Sequence, residues 1–530
     1  MTSTFNHADL FEIAVDVAPE RIALIAGDTR LTYRELEERA NRVAHHLALA
    51  GIVAGDRVSI LAHNRAEWLE AQIAVYKLRA VPVNVSYRYT ANELAHVLGD
   101  SESAALIGER ELIARLGRAR EGLEWLHHVV AIEDGTDADM GAATSYEEAL
   151  AAASADRDFG PRSGDDLYLL YTGGTTGKPK GVMWRQEDIF FTAMGGDPMA
   201  GEPLRTPEDV RARAAGGAPT SMVNPPLMHG AGMWGAWGAL IAASTLVLWS
   251  QRRFDPDGVL RLAAAERVAF MLLAGDAMAR PLADRLDRAD YDLSALTFLA
   301  AGGSATSPDV KRRLHQKIPS LVAILDGMGG SETGACAAGV DPSPEGLPRF
   351  RPRPEVAVLD EKLLPIEPGS DRIGVLAKTG RLPSGYWNDR EKTAATFVPG
   401  PDGRRWALQG DMARLDDDGC VVLLGRGSLV INTGGEKVFV EEVEAALKSH
   451  PAVYDAVVVG LPDERLGSRV AAVVSAVEGV EVPPDELIAH CRKALAGYKV
   501  PRDLRMVTEV IRTPTGKADY AWARKAAAAR

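Results

Sequence analysis

Helix-like and strand-like segments alternate through the first 110 residues, and this alternation limits the folds open to the chain more than any other feature. Apolar residues recur at helical spacing in segments that each lead into a short strand-like run. A capping-box pattern, Thr90 with Glu93, marks the start of the third helix. Alternation of this kind predicts helices packed on a largely parallel sheet, which is an α/β fold. The predicted elements are helix 33–50, strand 58–62, helix 66–78, strand 81–85, a helix from 90 and strand 104–107.

The chain length predicts more than one domain. A chain of 530 residues exceeds the usual single-domain range, so we expect a large domain and a smaller one. We place the boundary near Arg426, which divides the chain into 1–426 and 427–530. The second unit is predicted to contain helix 441–447, strands 456–459 and 470–474, and helix 485–495.

Two segments are predicted to lack regular structure. Residues 198–218 are rich in Pro, Gly, Arg and acidic residues, which is typical of an irregular surface excursion. The Ala-rich tail 525–530 is predicted to be frayed.

Composition excludes several classes of protein. The net charge of -13 gives no general attraction to nucleic acid or anionic lipid. The three cysteines are widely spaced, so neither a disulfide framework nor a zinc site is indicated, and a cytoplasmic setting is expected. The N-terminus does not resemble a secretion signal, and the most apolar later stretch, 237–249, is too short to span a bilayer. Peripheral membrane contact and a homo-oligomer both stay open.

Residues 171–181, Tyr-Thr-Gly-Gly-Thr-Thr-Gly-Lys-Pro-Lys-Gly, have the composition of a phosphate-binding loop. Glycines let backbone N–H groups approach phosphate oxygens, hydroxyls add hydrogen bonds, and lysines supply positive charge. The alternative is a mobile surface loop. The segment is not a Walker A loop, because Thr172 stands in place of the first glycine and Pro179 in place of the magnesium-binding Ser or Thr.

This loop resembles the signature of the adenylate-forming enzyme superfamily, which contains acyl-CoA synthetases, amino-acid adenylation domains and firefly luciferase. Together with the runs Gly-Arg-Gly-Ser and Asn-Thr-Gly-Gly-Glu-Lys-Val-Phe, it is most similar to actinobacterial fatty-acyl-CoA synthetases for long-chain or sterol side-chain acids. Further motifs follow in the family's order: Pro226-Leu227-Met228-His229, Ala301-Gly302-Gly303-Ser304, Gly329-Gly330-Ser331-Glu332-Thr333, Gly385-Tyr386-Trp387, Gly410-Asp411, Gly425-Arg426 and Pro514-Thr515-Gly516-Lys517.

The resemblance implies a fold and a reaction. The expected fold is a large N-terminal domain of stacked α/β sheets with an added β-barrel-like part, followed by a small mobile α+β domain. The expected reaction joins a carboxylic acid to coenzyme A through an acyl-adenylate, with ATP consumed to AMP and diphosphate and with Mg²⁺ bound. Two alternatives are an acyl-AMP ligase that loads a carrier protein and a non-catalytic homologue that only binds acyl chains or nucleotides.

The resemblance also assigns roles to residues. Lys517 would stabilise negative charge during adenylation, Glu332 would contact magnesium with Ser331 nearby, and His229 would gate or orient the acid. A buried, hydrogen-bonded histidine is the competing interpretation of His229. Asp411 and Arg426 would bind the ribose, and residues 302–305 and 326–328 would form the slot for the adenine ring. The expected catalytic residues are Lys517, Glu332, Ser331 and His229, and Glu332 and Thr176 are the expected metal ligands. The other expected nucleotide and CoA contacts are Thr172, Gly173, Gly174, Thr175, Thr176, Gly177, Lys180, Gly302, Gly303, Ser304, Asp326, Gly327, Met328, Gly434 and Gly435.

Four positions depart from the family pattern. Gly173 replaces a serine, Met328 the usual stacking tyrosine and Gln409 a threonine, and Ser428 stands where the family's hinge has Asp or Lys. The acyl pocket is expected within 184–333. Its predicted wall mixes aromatic and small residues, which suits a large hydrophobic acid, although an ordinary packed core has the same composition. The predicted wall residues are Trp184, Met233, Trp234, Gly235, Ala236 and Gly238.

Overall fold

A computed structural model describes residues 4–173, 178–198, 201–303, 306–343, 347–370, 372–433, 436–513 and 516–529. The helices are α1 (His7–Val17), α2 (Tyr33–Leu49), α3 (Ala66–Lys77), α4 (Ala91–Asp100), α5 (Arg110–Ala114), α6 (Tyr146–Ala151), α7 (Gln186–Ala193), α8 (Pro207–Ala215), α9 (Gly230–Ile241), α10 (Pro256–Ala265), α11 (Asp276–Leu286), α12 (Pro308–Lys317), α13 (Arg390–Thr396), α14 (Val440–Lys448), α15 (Pro484–Ala494) and α16 (Tyr520–Ala528).

The strands fall into three sheets. In chain order they are β1 (Ile22–Ala26), β2 (Thr29–Thr32), β3 (Arg57–Leu61), β4 (Val81–Asn84), β5 (Ser103–Glu109), β6 (His128–Ile132), β7 (Thr144–Ser145), β8 (Leu167–Thr172), β9 (Lys180–Arg185), β10 (Ser221–Val223), β11 (Leu246–Leu248), β12 (Phe270–Leu273), β13 (Phe298–Gly302), β14 (Ala323–Gly330), β15 (Gly334–Gly339), β16 (Arg349–Pro352), β17 (Val356–Leu359), β18 (Gly374–Lys378), β19 (Gly385–Tyr386), β20 (Phe397–Pro399), β21 (Arg405–Leu415), β22 (Val421–Arg426), β23 (Ile431–Thr433), β24 (Glu436–Val438), β25 (Val453–Asp463), β26 (Gly467–Ala476) and β27 (Asp503–Val507).

The first sheet has the strand order β19-β9-β8-β4-β3-β5-β6-β7. The strands from β8 to β7 pair in parallel, and β9 and β19 add antiparallel pairs at one edge. The predicted parallel α/β arrangement is therefore confirmed for the N-terminal elements. Because β3, β4 and β8 run in the same direction, the loops after them meet at one edge of this sheet.

The second sheet contains fourteen strands and joins a parallel part to an antiparallel part. The parallel part has the spatial order β1-β11-β10-β12-β13-β14. The antiparallel part continues from β14 in the order β15-β16-β22-β21-β18. The antiparallel strands expected as a barrel-like addition thus extend the same sheet.

Helix α2 shows why the predicted pattern folds as it does. The apolar residues that recur at helical spacing, among them Leu36 and Leu47, are buried, and each of these leucines contributes about 2 kcal/mol by burial, whereas Leu49 at the end of the helix is exposed. The helix begins with a capping box in which Thr32 and Glu35 bind each other's backbone. Thr90 and Glu93 cap α4 in the same way, as predicted.

Two predictions of irregular structure are wrong. Within 198–218 the chain forms α8. The helix begins with a capping box made by Thr206 and Asp209, and Pro207 is a favourable residue for its first turn. The tail is also helical: α16 extends to Ala528, and its Ala523 is buried against apolar side chains of β25 and β26. Tertiary packing therefore stabilises a segment whose composition predicted fraying.

The third sheet holds the C-terminal elements. Its strand order is β24-β23-β26-β25, with β27 parallel to β26. Strand β22 ends at Arg426 in the second sheet, and β23 begins at Ile431 in the third. This change of sheet accompanies the predicted boundary between 1–426 and 427–530, and the division into two domains stays a prediction.

The three cysteines, Cys336, Cys420 and Cys491, are buried and free. Burial is the main reason why the pKa of each thiol is raised above its ordinary value. In the part of the chain that the structure describes, no helix is both long and apolar enough to cross a membrane.

Candidate active site

The predicted phosphate loop joins β8 to β9, which form an antiparallel hairpin in which Thr172 pairs with Lys180. The Lys180 ammonium forms an ion pair with Asp389, and this contact lowers the pKa of the Asp389 carboxyl. A Cβ added at Gly173 would lie 3.8 Å from the Tyr89 hydroxyl, an ordinary contact, so space alone does not require glycine there. The predicted contacts of Gly174, Thr175, Thr176 and Gly177, including the metal contact of Thr176, lie outside the described residues.

Glu332 lies in the tight turn between β14 and β15, and neutral groups hold both of its carboxylate oxygens. The Tyr386 hydroxyl donates to Oε1 at 2.8 Å, and the Gln409 side-chain amide donates to Oε2 at 3.1 Å. On the other side, the Trp184 indole N–H donates to the Ser331 carbonyl oxygen at 2.9 Å. The turn is therefore fixed from two directions, and among the described residues no cation forms an ion pair with the carboxylate that these donors orient.

The predicted ribose pair is assembled by strand register. Asp411 on β21 and Arg426 on β22 are direct antiparallel partners. The Arg426 Nε lies 3.3 Å from Asp411 Oδ1. Both side chains therefore project from the same point of the second sheet, although 15 residues separate them in the chain.

Lys517 lies in the same cleft, and its backbone is held by two hydrogen bonds to Thr513. Its backbone N–H donates to the Thr513 hydroxyl at 3.1 Å, and its carbonyl accepts from the Thr513 N–H at 2.8 Å. Reduced hydration lowers the pKa of Lys517; Arg426 lowers it further, while the charges of Asp411 and Glu332 oppose the change. The side chain is still reached by solvent, so it extends into an open cleft rather than a closed core.

His229 caps the N-terminus of α9 and faces the same cleft. Burial lowers its pKa from 6.5 to about 4, and the nearby charges of Lys517 and Arg88 act in the same direction. Its Nε2 is buried and has no hydrogen-bond partner among the described residues. The competing expectation of a buried histidine held by its own hydrogen bonds therefore does not describe Nε2, and the imidazole is neutral at neutral pH.

The predicted adenine slot lies between β13 and β14, where Gly302 and Gly327 are register partners. Asp326 is buried, and its carboxylate accepts from the Thr306 N–H at 3.0 Å and pairs with Lys311 at 2.6 Å. The carboxylate therefore holds Thr306 and Lys311 in place, which leaves the backbone as the part of Asp326 that a ligand would meet.

Gly303 and Met328 flank this slot. Gly303 has a φ of 87°, a left-handed conformation that favours glycine. Met328 packs against a small apolar cluster of the antiparallel strands. Its expected place over an adenine ring stays a prediction, and Ser304 lies outside the described residues.

The residues predicted to line the acyl pocket form a tightly packed wall. The Tyr168 hydroxyl contacts both the Met233 sulfur at 3.7 Å and the Trp234 indole N–H at 3.0 Å. A Cβ added at Gly235 would lie 2.6 Å from Leu272, so glycine allows α9 to approach β12 closely. The wall also contains the buried Trp184 and Ala236, and Gly238, which faces the carbonyl of Met194.

Some contacts within the site had no assigned role from the sequence. Tyr386 belongs to a motif that the sequence displays, but its hydrogen bond to Glu332 depends on how β19 meets the turn. Lys378 gives no sequence signal at all. It is buried, and its ammonium donates to the Thr333 carbonyl at 2.7 Å and the Ala335 carbonyl at 3.2 Å, directly behind the Glu332 turn.

The C-terminal elements contact the second sheet's helices through α11. The Tyr454 hydroxyl donates to Asp284 at 3.2 Å, and the Arg280 guanidinium carbon lies 5.1 Å from the centre of the Tyr454 ring. An exposed ion pair joins Arg288 to Glu478 at 2.9 Å. These contacts accompany the placement of Lys517 in the cleft. The predicted CoA-channel residues Gly434 and Gly435, and the side chain of Ser428, lie outside the described part of the chain.

Comparison with known proteins gives two family matches. The model of the AMP-binding enzyme family matches residues 11–387. The model of the AMP-binding enzyme C-terminal domain matches residues 442–517.

Curated relatives match nearly the whole chain. A 3-oxocholest-4-en-26-oate–CoA ligase of Rhodococcus rhodochrous is 43% identical, with 98% of this chain and 95% of the relative covered. A medium/long-chain-fatty-acid–CoA/3-oxocholest-4-en-26-oate–CoA ligase of Mycobacterium tuberculosis (strain ATCC 25618 / H37Rv) is 44% identical, with 100% and 97% covered. A feruloyl-CoA synthase of an Amycolatopsis species is 30% identical, with 94% and 95% covered.

Solved structures share the fold. The anthranilate CoA ligase AuaEII in complex with anthranoyl-AMP superimposes with a TM-score of 0.85 at 24% identity, covering 99% of this chain and 98% of that one. ATP-bound MatB from Rhodopseudomonas palustris gives a TM-score of 0.81 at 24% identity, with 99% of both chains covered. At this level of identity the likeness concerns the fold alone.

Proposed function

The chain belongs to the AMP-binding enzyme family, and from that membership we propose that it is an AMP-forming acyl-CoA ligase for large hydrophobic carboxylic acids. The observation that carries the proposal is the identity of 43% and 44%, over almost the full chain, to ligases named for a steroid side-chain acid and for medium- and long-chain fatty acids. CoA-ligase relatives of this kind favour a thioester product over the loading of a carrier protein.

The substrate class is a steroid side-chain carboxylate or a medium- to long-chain fatty acid. The names of the curated relatives support this class. The wall of aromatic and small residues around α9 fits it, because apolar surface is what a large hydrophobic acid needs to bury. The proposal for the substrate rests on the relatives more than on the wall, since a packed core has the same composition.

The charges in the cleft suit ATP. Lys517 and Arg426 supply positive charge on one side, and Glu332 and Asp411 supply carboxylate oxygens. Among the described residues, no group of three or more His, Cys, Asp and Glu side chains could hold a metal ion. Magnesium commonly takes one or two carboxylates plus phosphate oxygens, so Glu332 fits as its single firm protein ligand. Bound Mg²⁺ would draw negative charge from the transferring phosphate.

We assign the chemistry as two displacements. In the first, a carboxylate oxygen of the acid forms a bond to the α-phosphorus of ATP while the bond to the β-phosphate oxygen breaks, releasing diphosphate. Lys517 would stabilise the charge that develops, and the neutral His229 would orient the acid without adding a competing charge. In the second, the CoA sulfur bonds to the acyl carbon, AMP leaves, and the thiol proton goes to solvent.

The second displacement is proposed to need a different arrangement of 427–530, since Lys517 occupies the cleft in the present one. Gly434 and Gly435 are proposed to line the CoA channel, and Ser304 and the residues Gly174 to Gly177 to contact ATP. A cytoplasmic location is a further expectation, and a homo-oligomer and peripheral membrane contact stay open.

The test is release of diphosphate and formation of acyl-CoA by the purified protein across a panel of acids, with and without CoA. The panel contains a steroid side-chain acid, long- and medium-chain fatty acids, benzoate and acetate. We expect acyl-CoA from the large acids only. Diphosphate release without thioester formation would indicate an acyl-AMP ligase instead. Turnover of acetate or benzoate alone would reject large hydrophobic acids as the substrate class.

Lys517→Ala tests the proposed catalytic residue in the same assay. We expect the rate of diphosphate release to fall at least about 100-fold, because one preorganised charge at a transition state is commonly worth that much. The matched control is Lys525→Ala, which removes an exposed lysine of α16. Equal rates of diphosphate release by the two variants would show that Lys517 is not a catalytic residue.

A further inference from the structure

Two asparagines of the first sheet hold the loop that carries His229. Asn64, in the loop after β3, donates to the Pro225 carbonyl at 3.2 Å and accepts from the Leu227 N–H at 2.8 Å. Asn84, the last residue of β4, donates to the Met228 carbonyl at 2.7 Å. Residues 225–228 belong to the loop between β10 of the second sheet and α9, so these bonds cross from one sheet to the other.

Asn84 also forms hydrogen bonds with the backbone at the start of the phosphate loop. Its side-chain amide donates to the Tyr171 carbonyl at 2.8 Å, and its Oδ1 accepts from the Tyr171 N–H at 2.7 Å. Tyr171 directly precedes Thr172 and Gly173. One buried amide, 6% exposed, therefore joins the base of the phosphate loop to the residue before His229.

The position of His229 depends on this loop more than on its own ring. The imidazole forms no hydrogen bond with the described residues, and its Nε2 is buried without a partner. Its backbone, by contrast, is fixed: its N–H donates to the Pro226 carbonyl at 3.1 Å, and its carbonyl accepts from the Met233 N–H at 3.0 Å. Whatever holds the backbone of residues 225–228 therefore sets where the imidazole lies.

We propose that Asn84 is a positioning residue for adenylation, because it fixes the loop of His229 to the base of the phosphate loop. The inference rests on the proposed function of these two loops, one at the acid and one at ATP. Adenylation requires the acid's carboxylate oxygen and the α-phosphorus to meet in line, and small misplacements of reacting groups are costly. Asn84 provides a direct link between the two sides, and Asn64 supports the acid side alone.

The substitutions Asn84→Ala and Asn84→Asp test this role. Alanine removes all three hydrogen bonds, and aspartate keeps the shape but places a carboxylate against the carbonyls of Tyr171 and Met228. We expect both variants to release diphosphate about 100-fold more slowly, which is the usual cost of misplacing reacting groups. Thioester formation from preformed acyl-adenylate and CoA should change by less than about threefold, because the β- and γ-phosphates of ATP have already left and no bond to the α-phosphorus is made in that step.

Asn41→Ala is the matched control. Asn41 is also buried, at 1% exposure, and its side-chain amide donates to the Ala155 carbonyl at 2.8 Å, away from the cleft. It should lower the melting temperature as the Asn84 variants do and leave the rate of diphosphate release per folded molecule unchanged. If Asn84→Ala does not fold, Asn84→Asp and Asn64→Ala carry the test, with a smaller loss of the same step expected for Asn64→Ala.

Two results would overturn the proposal: wild-type rates in folded Asn84 variants, or an equal loss of rate in Asn41→Ala. A defect of equal size in both half-reactions would also reject it, since that is the signature of a general structural role. Wild-type protein is measured in each series. Its failure to release diphosphate with any acid would count against the proposed function itself, which separates the two failures.

Discussion

At the scale of single residues, Glu332 illustrates how neutral donors can serve a charged site. A cation in contact with the carboxylate would satisfy it and compete with a metal ion for it. Tyr386 and Gln409 instead orient both oxygens and leave the charge in place. Gln409, a departure from the family pattern, thus has a definite contact in this chain, and a Cβ at Gly330 would lie 2.2 Å from its amide nitrogen.

Tyr386→Phe should weaken the use of magnesium and ATP. The substitution removes one hydroxyl hydrogen bond to a carboxylate and keeps the ring in its place. Because hydrogen bonds to charged groups contribute about 1.5–3 kcal/mol, we expect diphosphate release to slow by about tenfold or more, with a higher magnesium concentration needed for half-maximal rate. The measurement is a magnesium titration of diphosphate release. Tyr498→Phe, at an exposed tyrosine, is the control, and identical titrations for both variants would contradict the prediction.

The motif residues of the site can be predicted from the sequence, but the residues that hold them in place cannot. Glu332, Asp411, Arg426 and Lys517 each stand in a recognisable motif, and the structure brings all four to one cleft; their roles stay predictions. Lys378 could not be found, because a buried lysine that donates to backbone carbonyls has no local pattern. Such contacts depend on which strands become neighbours.

At the scale of elements, α1 is joined to α7 by a buried histidine. The backbone N–H of His7 donates to the side-chain oxygen of Gln186 at 2.8 Å, and the ring Nε2 of His7 lies 3.1 Å from the backbone carbonyl oxygen of Gln186. The ring packs among Tyr76, Tyr168 and Trp237. Burial lowers the pKa of His7 from 6.5 to about 3, so the native state keeps this ring neutral in mild acid.

This histidine should make the protein sensitive to acid. The unfolded chain protonates His7 below about pH 6.5 and the native state only near pH 3, so stability falls as pH drops through that window. Between pH 7 and pH 5 the loss from His7 is about 2 kcal/mol. Denaturant unfolding at the two pH values should show a smaller loss in His7→Gln by that amount. The exposed His127→Gln is the control, and equal pH dependence of wild type and His7→Gln would contradict the assignment.

The predicted elements match the structure where apolar residues recur at helical spacing over a long segment and where capping residues are present. Helix α2 and the capped α4 match their predicted segments closely. The differences at α8 and α16 have separate causes. Helix α8 begins with a capping box in an otherwise polar segment, and the tail is stabilised by the packing of Ala523, which the sequence pattern alone does not display.

At the scale of the whole molecule, the C-terminal elements that carry Lys517 rest on α11 as well as on β22, where Phe439 packs against Val422 and Leu424. Tyr454 makes both a hydrogen bond and a cation–π contact with α11, through Asp284 and Arg280. The exposed pair Arg288–Glu478 is nearby, and exposed pairs contribute at most about 1 kcal/mol. Tyr454 is therefore the main described side chain of the contact with α11.

Tyr454→Ala should slow adenylation and spare the second step. Loss of contacts worth about 1–2 kcal/mol lowers the population with Lys517 in the cleft, so we expect about a tenfold slower release of diphosphate. Formation of acyl-CoA from preformed acyl-adenylate should be unchanged. Arg288→Ala is the control with little expected effect. Equal slowing of both steps in Tyr454→Ala would show that the contact does not select between arrangements.

The burial of all three native cysteines makes the chain a convenient background for fluorescent labelling. Their thiols are shielded and have raised pKa values, so maleimide dyes at neutral pH will react slowly with the folded protein. One cysteine introduced on the exposed face of α2 and another on α16 would then carry a donor and an acceptor. Energy transfer between them would report, molecule by molecule, whether the C-terminal part leaves the cleft during turnover, as the proposed second arrangement requires.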